Sequence, residues 1–294
     1  MMHKAASRLE AAFLGLLLAA TLASPVLADS SGVPNGVLGH IKQTSEIRLA
    51  YRDDAPPFSY VDSTAGPSGY SVDLCLAVAQ SVKAQLNLSE LKITYVKVTS
   101  ADRFDALTGG KADLLCEATS ETLKRRERVD FSIPTFLSGV GLVIQPGGPD
   151  NLPAFAGKKV GVLGGTTTQQ SLENYLRENG IKAEVVVVKS HPEGFKLLEQ
   201  GEITGYFGDR TILQYHLLKE APQSKLMLAD QYLTVEPYAL ALPRDEDFRL
   251  AVDRGLSQLY RRGGILNVFT RAFGDKAKPS GLLSALYQGS SLPE

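Results

Sequence analysis

Apolar positions along the chain follow two periods that take turns. Ile47-Arg48-Leu49-Ala50 is a short strand-like run, and Ser71–Leu86 carries the 3.6-residue period of an amphipathic helix. Leu91–Val98 alternates as a strand does. Asp102–Leu107 is a helix closed by Gly109-Gly110, and Ala112–Cys116 is another strand. The pattern restarts after Pro149. Lys159–Leu163 is a strand, Thr168–Asn179 a helix stopped by Gly180, and Glu184–Val188 a strand. Pro192–Gln200 is a helix stopped by Gly201, and Tyr206-Phe207 a short strand. Asp245–Phe273 reads as two helices broken at Gly263-Gly264. Residues 29–44 read as a loose N-terminal segment, and residues 277–294, rich in Pro, Gly and Ser, as a trailing tail. Two β/α halves, each with its own core, predict an α/β protein with parallel sheets.

The N-terminus has the anatomy of an export signal. Lys4 and Arg8 precede a short apolar run, Ala11–Ala23, and Val26-Leu27-Ala28 offers small residues for cleavage near Ala28. The apolar run is shorter than the ~20 residues that a membrane-spanning helix needs. Residues 1–28 are therefore expected to be a signal peptide and the remainder an exported, soluble protein. No cysteine follows the apolar run, so a lipid anchor is not indicated.

Composition narrows the function further. Lys and Arg total 31 against 32 Asp and Glu, a net charge of −1, so no overall field favours nucleic acid. Glu121 and Glu127 are interleaved with the cations at 124–128, so Lys124, Arg126 and Arg128 read as a solvated face rather than a basic patch. Cys75 and Cys116, in an oxidising compartment, leave open either a disulfide or two buried thiols. They lack the ligand spacing of a metal site. There is no Gly-x-Ser-x-Gly elbow, no His-Glu-x-x-His and no cysteine beside a base, so hydrolytic or nucleophilic catalysis has no support.

Ligands of two-lobed α/β proteins sit at strand C-termini and helix N-termini, and the polar residues there are the candidates. Arg52 ends the first strand, before a proline-stiffened loop. Ser100 is placed to cap the helix after the second strand, and Arg103 lies in that helix's first turn, where a cation opposes the helix dipole. Thr119 and Ser120 can cap the turn that follows the third strand. Gly164-Gly165-Thr166-Thr167-Thr168 opens the second half, where glycines allow close backbone approach and a Thr can cap the next helix; it lacks the Lys-Ser/Thr ending of a P-loop. His191 precedes a helix and Asp209 follows the last strand, positions that capping alone would also explain.

Three stretches, GYSVDLCLAVAQSV (69–82), DLLCEATSETLKRRERVDFS (113–132) and VGVLGGTTTQQSL (160–172), resemble the periplasmic amino-acid-binding proteins that feed ATP-driven importers. The likeness spans about Glu46 to Gly274 and is nearest to glutamate/aspartate-binding members. It implies a two-lobed clamshell with a mixed, mostly parallel sheet in each lobe and two hinge crossings. Lobe 1 would comprise 45–138 plus 243–276, and lobe 2 would comprise 139–242. By this resemblance Arg125 clamps the α-carboxylate with Ser120 and the backbone of Ala118. Thr167 and Thr168 close from the other lobe, and Asp209 takes the ammonium. Arg52, Ser100, Arg103 and His191 serve an acidic side chain. Both cysteines fall in lobe 1, where a bridge would staple helix to sheet. The resemblance also implies a monomeric, non-enzymatic periplasmic protein with no cofactor, an amino acid as ligand and a membrane permease as partner.

Two residues depart from the family pattern. Glu117 stands where relatives usually place Gly. Pointing outward it would pair with a neighbouring cation; pointing inward it would shift preference toward a neutral or cationic group. Ala118 replaces a common hydroxyl residue. Alternatives to an acidic amino acid are a neutral or other polar amino acid, a small dicarboxylate, an exported enzyme resembling cyclohexadienyl dehydratase with Glu117 as general acid, or a sensory module acting in trans.

Overall fold

The computed structural model describes residues 35–230 and 233–294. The expected signal peptide and the first residues of the expected loose segment lie outside the described residues. The chain opens with helix α1 (Gly36–Thr44), strand β1 (Glu46–Tyr51) and a small antiparallel sheet, β2 (Asp54–Ala55), β3 (Ser59–Asp62) and β4 (Gly66–Ser68). Helix α2 (Tyr70–Gln85), β5 (Lys92–Lys97), α3 (Arg103–Thr108), β6 (Leu114–Leu115), α4 (Leu123–Arg126) and β7 (Asp130–Phe131) follow. The chain crosses through β8 (Phe136–Ser138) to β9 (Val140–Ile144), β10 (Lys159–Leu163), α5 (Thr167–Glu178) and β11 (Glu184–Val188). After these come α6 (His191–Glu199), β12 (Gly205–Asp209), α7 (Arg210–Tyr215) and β13 (Met227–Leu228). It returns through β14 (Glu236–Tyr238) to β15 (Ala241–Leu242), α8 (Glu246–Arg261), α9 (Gly264–Phe273) and α10 (Gly281–Gly289).

Each lobe holds one five-stranded sheet, and the two repeat one plan. The orders are β5-β1-β6-β15-β7 and β11-β10-β12-β9-β13. In each, three neighbouring strands run parallel, the fourth runs antiparallel to them, and the fifth pairs antiparallel with the fourth. The two-residue period of the strands explains why both faces are buried. In lobe 1, Ile47, Leu49 and Leu114 pack into the core that α2 and α8 share, while Ala50 and Leu115 meet residues of α3 on the other face. In lobe 2, Val160 and Val162 face Leu172 and Leu176 of α5, while Leu163 and Val188 face Phe195 and Leu198 of α6. The crossings β8 and β14 pair with each other, antiparallel, so the connection between lobes is itself a two-stranded ribbon. The mixed sheets and paired crossings are the clamshell that the sequence resemblance implied.

Two expectations for the chain's ends are overturned within the described residues. Residues 36–44 form α1 rather than a loose segment. Ile41 is fully buried, and Asp245 Oδ2 accepts from Val37 N at 2.8 Å while Oδ1 accepts from Phe248 N at 2.9 Å, so that one carboxylate serves the starts of two helices. The C-terminal stretch does not trail away, because α10 docks. Leu283 and Tyr287 are buried, and Tyr287 Oη lies 2.7 Å from Tyr70 Oη, which also donates to Thr135 O. Local composition signalled a tail; the apolar face of a short helix decided otherwise.

Cys75 of α2 and Cys116, just past β6, form a disulfide, closing a sequence separation of 41 residues. It fastens helix to sheet one residue before Glu117. Reduction is expected to lower the unfolding free energy by about 4 kcal/mol on chain-entropy grounds, read by urea denaturation with and without reductant. Deleting residues 277–294 should cost about 3 kcal/mol or more through lost burial of Leu283 and Tyr287, read by the same method; an unchanged midpoint would refute the docking of α10.

Candidate functional site

Arg52 leaves the end of β1, and Ser59 Oγ binds both its N–H and its carbonyl at 2.9 Å, fixing the backbone. The guanidinium turns inward and is 3% exposed. Its Nε donates to Asp54 Oδ1 at 2.9 Å, its Nη2 lies 2.7 Å from the same oxygen, and its Nη1 donates to Glu117 Oε2 at 3.3 Å. Burial pushes the Asp54 carboxyl up, but Arg52 and His191 together outweigh it and hold Asp54 below its ordinary value.

Arg103 begins α3 and is 2% exposed, far from the surface position that a first-turn cation usually takes. Its Nε lies 3.3 Å from Glu117 Oε1, and its Nη2 donates to Gly165 O of the other lobe at 3.3 Å. Nη1 is buried with no hydrogen-bond partner among the described residues. Burial, with Arg125 and Arg52 nearby, brings its pKa down to about 10, so it stays charged at neutral pH. Glu117 resolves its two alternatives by doing part of each. It points inward, 1% exposed, and pairs with basic residues, Arg52 and Arg103, while Thr119 Oγ1 donates to it.

Of the four clustered cations at 124–128, Arg125 is half-buried while Lys124, Arg126 and Arg128 are exposed. Arg126 pairs with Glu121 at 3.1 Å and Arg128 with Asp105 at 2.6 Å, the solvated face that the sequence predicted. Arg125 Nη1 donates to Ser120 O at 2.7 Å, and the guanidinium lies over the Phe104 ring. Thr122 caps α4, not Thr119 or Ser120.

The other lobe contributes residues at helix starts. Thr166 caps α5 and accepts from Gln169 N at 3.2 Å, freeing the hydroxyl of Thr167 to donate to Glu236 Oε2 at 2.7 Å and to lie 3.2 Å from Ser120 Oγ. Gly165 has φ +71°, and a Cβ there would fall 2.9 Å from Ser100 O, so only glycine lets the lobes meet at this point. His191 opens α6 under the cap of Ser190. Its N–H donates to Asp54 Oδ2 at 3.3 Å across the cleft, and its Nδ1 lies 3.0 Å from Tyr206 Oη. Burial and then Arg52 bring its pKa down to about 3, so the ring is neutral.

Asp209 caps α7 as expected, but with one oxygen. Oδ1 accepts from Thr211 N, Ile212 N and Ser138 Oγ, and Oδ2 has no hydrogen bond among the described residues. Burial pushes its pKa up to about 7, against the pull of these donors.

Arg52, Arg103, Ala118, Ser120, Arg125, Thr167, Thr168, His191 and Asp209 line one cavity between the lobes. Ser100 does not. It is buried beside the wall and does not cap α3, because Thr99 Oγ1 accepts from Asp102 N while Asp102 Oδ1 accepts from Thr99 in return. Glu236 and Tyr238, which also line the cavity, went unassigned in the sequence. Their signal was position alone, on the return crossing. The arrangement can hold a small zwitterion, with a cation at Arg125, an open carboxylate oxygen at Asp209 and a further open cationic edge at Arg103. Among the described residues no group of three or more His, Cys, Asp or Glu could hold a metal ion.

Residues 47–275 match the model of the bacterial extracellular solute-binding proteins, family 3. The chain belongs to this family. It is 31% identical over 271 residues to the L-glutamate/L-aspartate-binding protein of Pseudomonas aeruginosa, covering 90% of this chain and 88% of that one. It is 27% identical over 275 residues to the glutamate/aspartate import solute-binding protein of Escherichia coli, covering 92% and 90%. The crystal structure of an ancestral amino-acid-binding protein, described as a precursor of cyclohexadienyl dehydratase, shares the fold. Its TM-score is 0.71 at 22% identity, with 81% of this chain and 100% of that chain covered.

Proposed function

We propose that this protein binds an L-amino acid, glutamate or aspartate, in the inter-lobe cavity and presents it in the periplasm to the permease of an ATP-driven importer. The observation that carries this reading is Arg103 Nη1, a buried cationic donor without a partner among the described residues, in a cavity that also offers Arg125 and Asp209 Oδ2. A zwitterion with an acidic side chain needs three such groups. Leaving any of its charges unpaired on burial would cost several kcal/mol. The names of the Pseudomonas and Escherichia relatives support the same ligand class.

In this reading Arg125 forks onto the α-carboxylate with the Ser120 hydroxyl and the Ala118 backbone, and Thr167 and Thr168 approach it from the second lobe. Asp209 Oδ2 takes the ammonium. Arg103 Nη1 and the neutral His191 ring donate to the side chain. Arg52 is committed to Asp54 and Glu117, and it orients rather than clamps. Binding proceeds by hinge closure. Ligand docks on lobe 1, lobe 2 swings about the β8–β14 ribbon, and contacts to both lobes hold the cleft shut. An enzymatic reading would require Glu117 to act as a proton donor in the cleft. It is instead ion-paired behind two arginines and is not among the cavity-lining residues, so nothing favours catalysis.

A thermal-shift screen of the twenty amino acids tests the ligand class, since a bound ligand raises the midpoint by mass action. Glutamate and aspartate are expected to respond; silence for both with a response to arginine would refute the choice. Calorimetry on Arg125→Ala should find no measurable binding of any amino acid. Arg103→Ala should weaken glutamate by about tenfold or more, one charged hydrogen bond, while sparing ligands with short neutral side chains.

The ammonium contact predicts a pH dependence. The ligand requires ionised Asp209, whose pKa of about 7 means that binding must expel a proton at lower pH. Affinity should therefore fall by about tenfold from pH 8 to pH 6, since the ionised fraction drops by about that much. A flat profile over this window would remove Asp209 from the ammonium site.

A further inference from the structure

The side-chain end of the cavity is built from a closed charge set. Arg52 and Arg103 contribute two cations, and Asp54 and Glu117 two carboxylates, linked in one chain of ion pairs, Asp54–Arg52–Glu117–Arg103. His191, whose Nδ1 lies 3.0 Å from Tyr206 Oη, adds no charge. The donors are nearly spent as well. Arg52 gives Nε and Nη2 to Asp54 and Nη1 to Glu117; Arg103 gives Nε to Glu117 and Nη2 to Gly165 O. Of these nitrogens only Arg103 Nη1 has neither a hydrogen bond nor an ion pair among the described residues.

From this arrangement we infer that Glu117 is a specificity-determining residue: a built-in carboxylate that cancels the cationic bias of the side-chain subsite, so that the protein accepts the amides glutamine and asparagine alongside the acids. This inference rests on the reading of the cleft as an amino-acid site. Neither a guanidinium N–H nor a neutral imidazole N–H tells a carboxylate oxygen from an amide carbonyl, since both oxygens accept. Discrimination would have to come from uncompensated positive charge close to the ligand's side chain, and Glu117 removes it. Glu117 achieves this without touching the ligand, because it stands behind the two guanidinium groups and not in the cavity wall. Its removal would return one net positive charge to the subsite and free Arg103 Nε for the ligand.

The experiment is isothermal titration calorimetry on the full mature protein, freed of any carried-over ligand, with L-glutamate, L-aspartate, L-glutamine and L-asparagine. For the native protein, each acid and its amide are expected to bind with dissociation constants within about tenfold of each other, less than one charged hydrogen bond separates. In Glu117→Gln, which keeps the volume and the hydrogen bond from Thr119, the acid-over-amide ratio should rise by about tenfold or more. A native preference for the acids beyond tenfold would overturn the inference, as would a Glu117→Gln ratio that stays put or falls. If Glu117→Gln loses its folded circular dichroism spectrum, the native ratio decides alone. Binding with the wrong ratio refutes the role of Glu117 only; no heat with any of the four ligands refutes the amino-acid reading itself and this inference with it.

Discussion

Arg52 and Arg103 are buried to within 3% of completeness, and a guanidinium taken that far from water costs several kcal/mol unless anions meet it. The whole charged end of the cleft follows from that requirement. Glu117 meets both groups at 3.3 Å, and Asp54 meets Arg52 from the other side. The cluster in turn ties together elements distant in sequence: the end of β1, the start of α3 and the loop after β6. Asp54 carries the link across the cleft, because its second oxygen accepts from His191 N at the start of α6. Buried ion pairs add little net stability, but they fix geometry, since every alternative arrangement leaves a charge unpaired.

The repeated sheet plan explains why the chemistry gathers where it does. Parallel strands put their C-terminal ends on one side of each sheet, and the next helices start there with open N–H groups. β1 delivers Arg52, β6 delivers Glu117, β10 delivers the Gly165–Thr168 turn and β12 delivers Asp209. The disulfide fixes Cys116 to α2 immediately before this loop, so Glu117 departs from a backbone that cannot drift. None of these residues lies close to the others in sequence; topology assembles them.

Much of this was legible beforehand, for physical reasons. Strand and helix periods are local properties, and the paired cores depend on them directly. Within its cluster, Arg125 was marked as the inward cation by the family resemblance, while the interleaved acids marked its neighbours as a solvated face. What escaped was decided by partners far along the chain. Ser100 has the chemistry of a cap, but Thr99 and Asp102 formed the reciprocal turn first. α1 and α10 are short and locally unremarkable, and only Asp245 and Tyr70 make them helices worth docking. Arg103 was a candidate from its place in a first turn, but its partners, Glu117 and Gly165 O, could not be read there, because both lie far along the chain. Glu236 could be placed on the crossing but not turned toward the cavity, because side-chain direction on a hinge strand depends on the strand it pairs with.

That last dependence links recognition to motion. Ser120 bridges to Tyr238 of β14, Glu121 N donates to Pro237 O, and Ala239 N donates to Thr119 O. The loop proposed to hold the α-carboxylate is thus a neighbouring strand of the hinge ribbon. Glu236, on the same ribbon, accepts from Thr167 at the start of α5. A ligand carboxylate between Arg125 and Thr167 would therefore press on both sides of the hinge at once. Changes in the angle of β14 would be felt at Ser120 and Thr167 without any intervening element. Interfaces of this sort hold discrete arrangements rather than a continuum, because packed contacts either form or do not. On the proposed reading, closing the cleft and orienting the carboxylate clamp would be one rearrangement of these contacts.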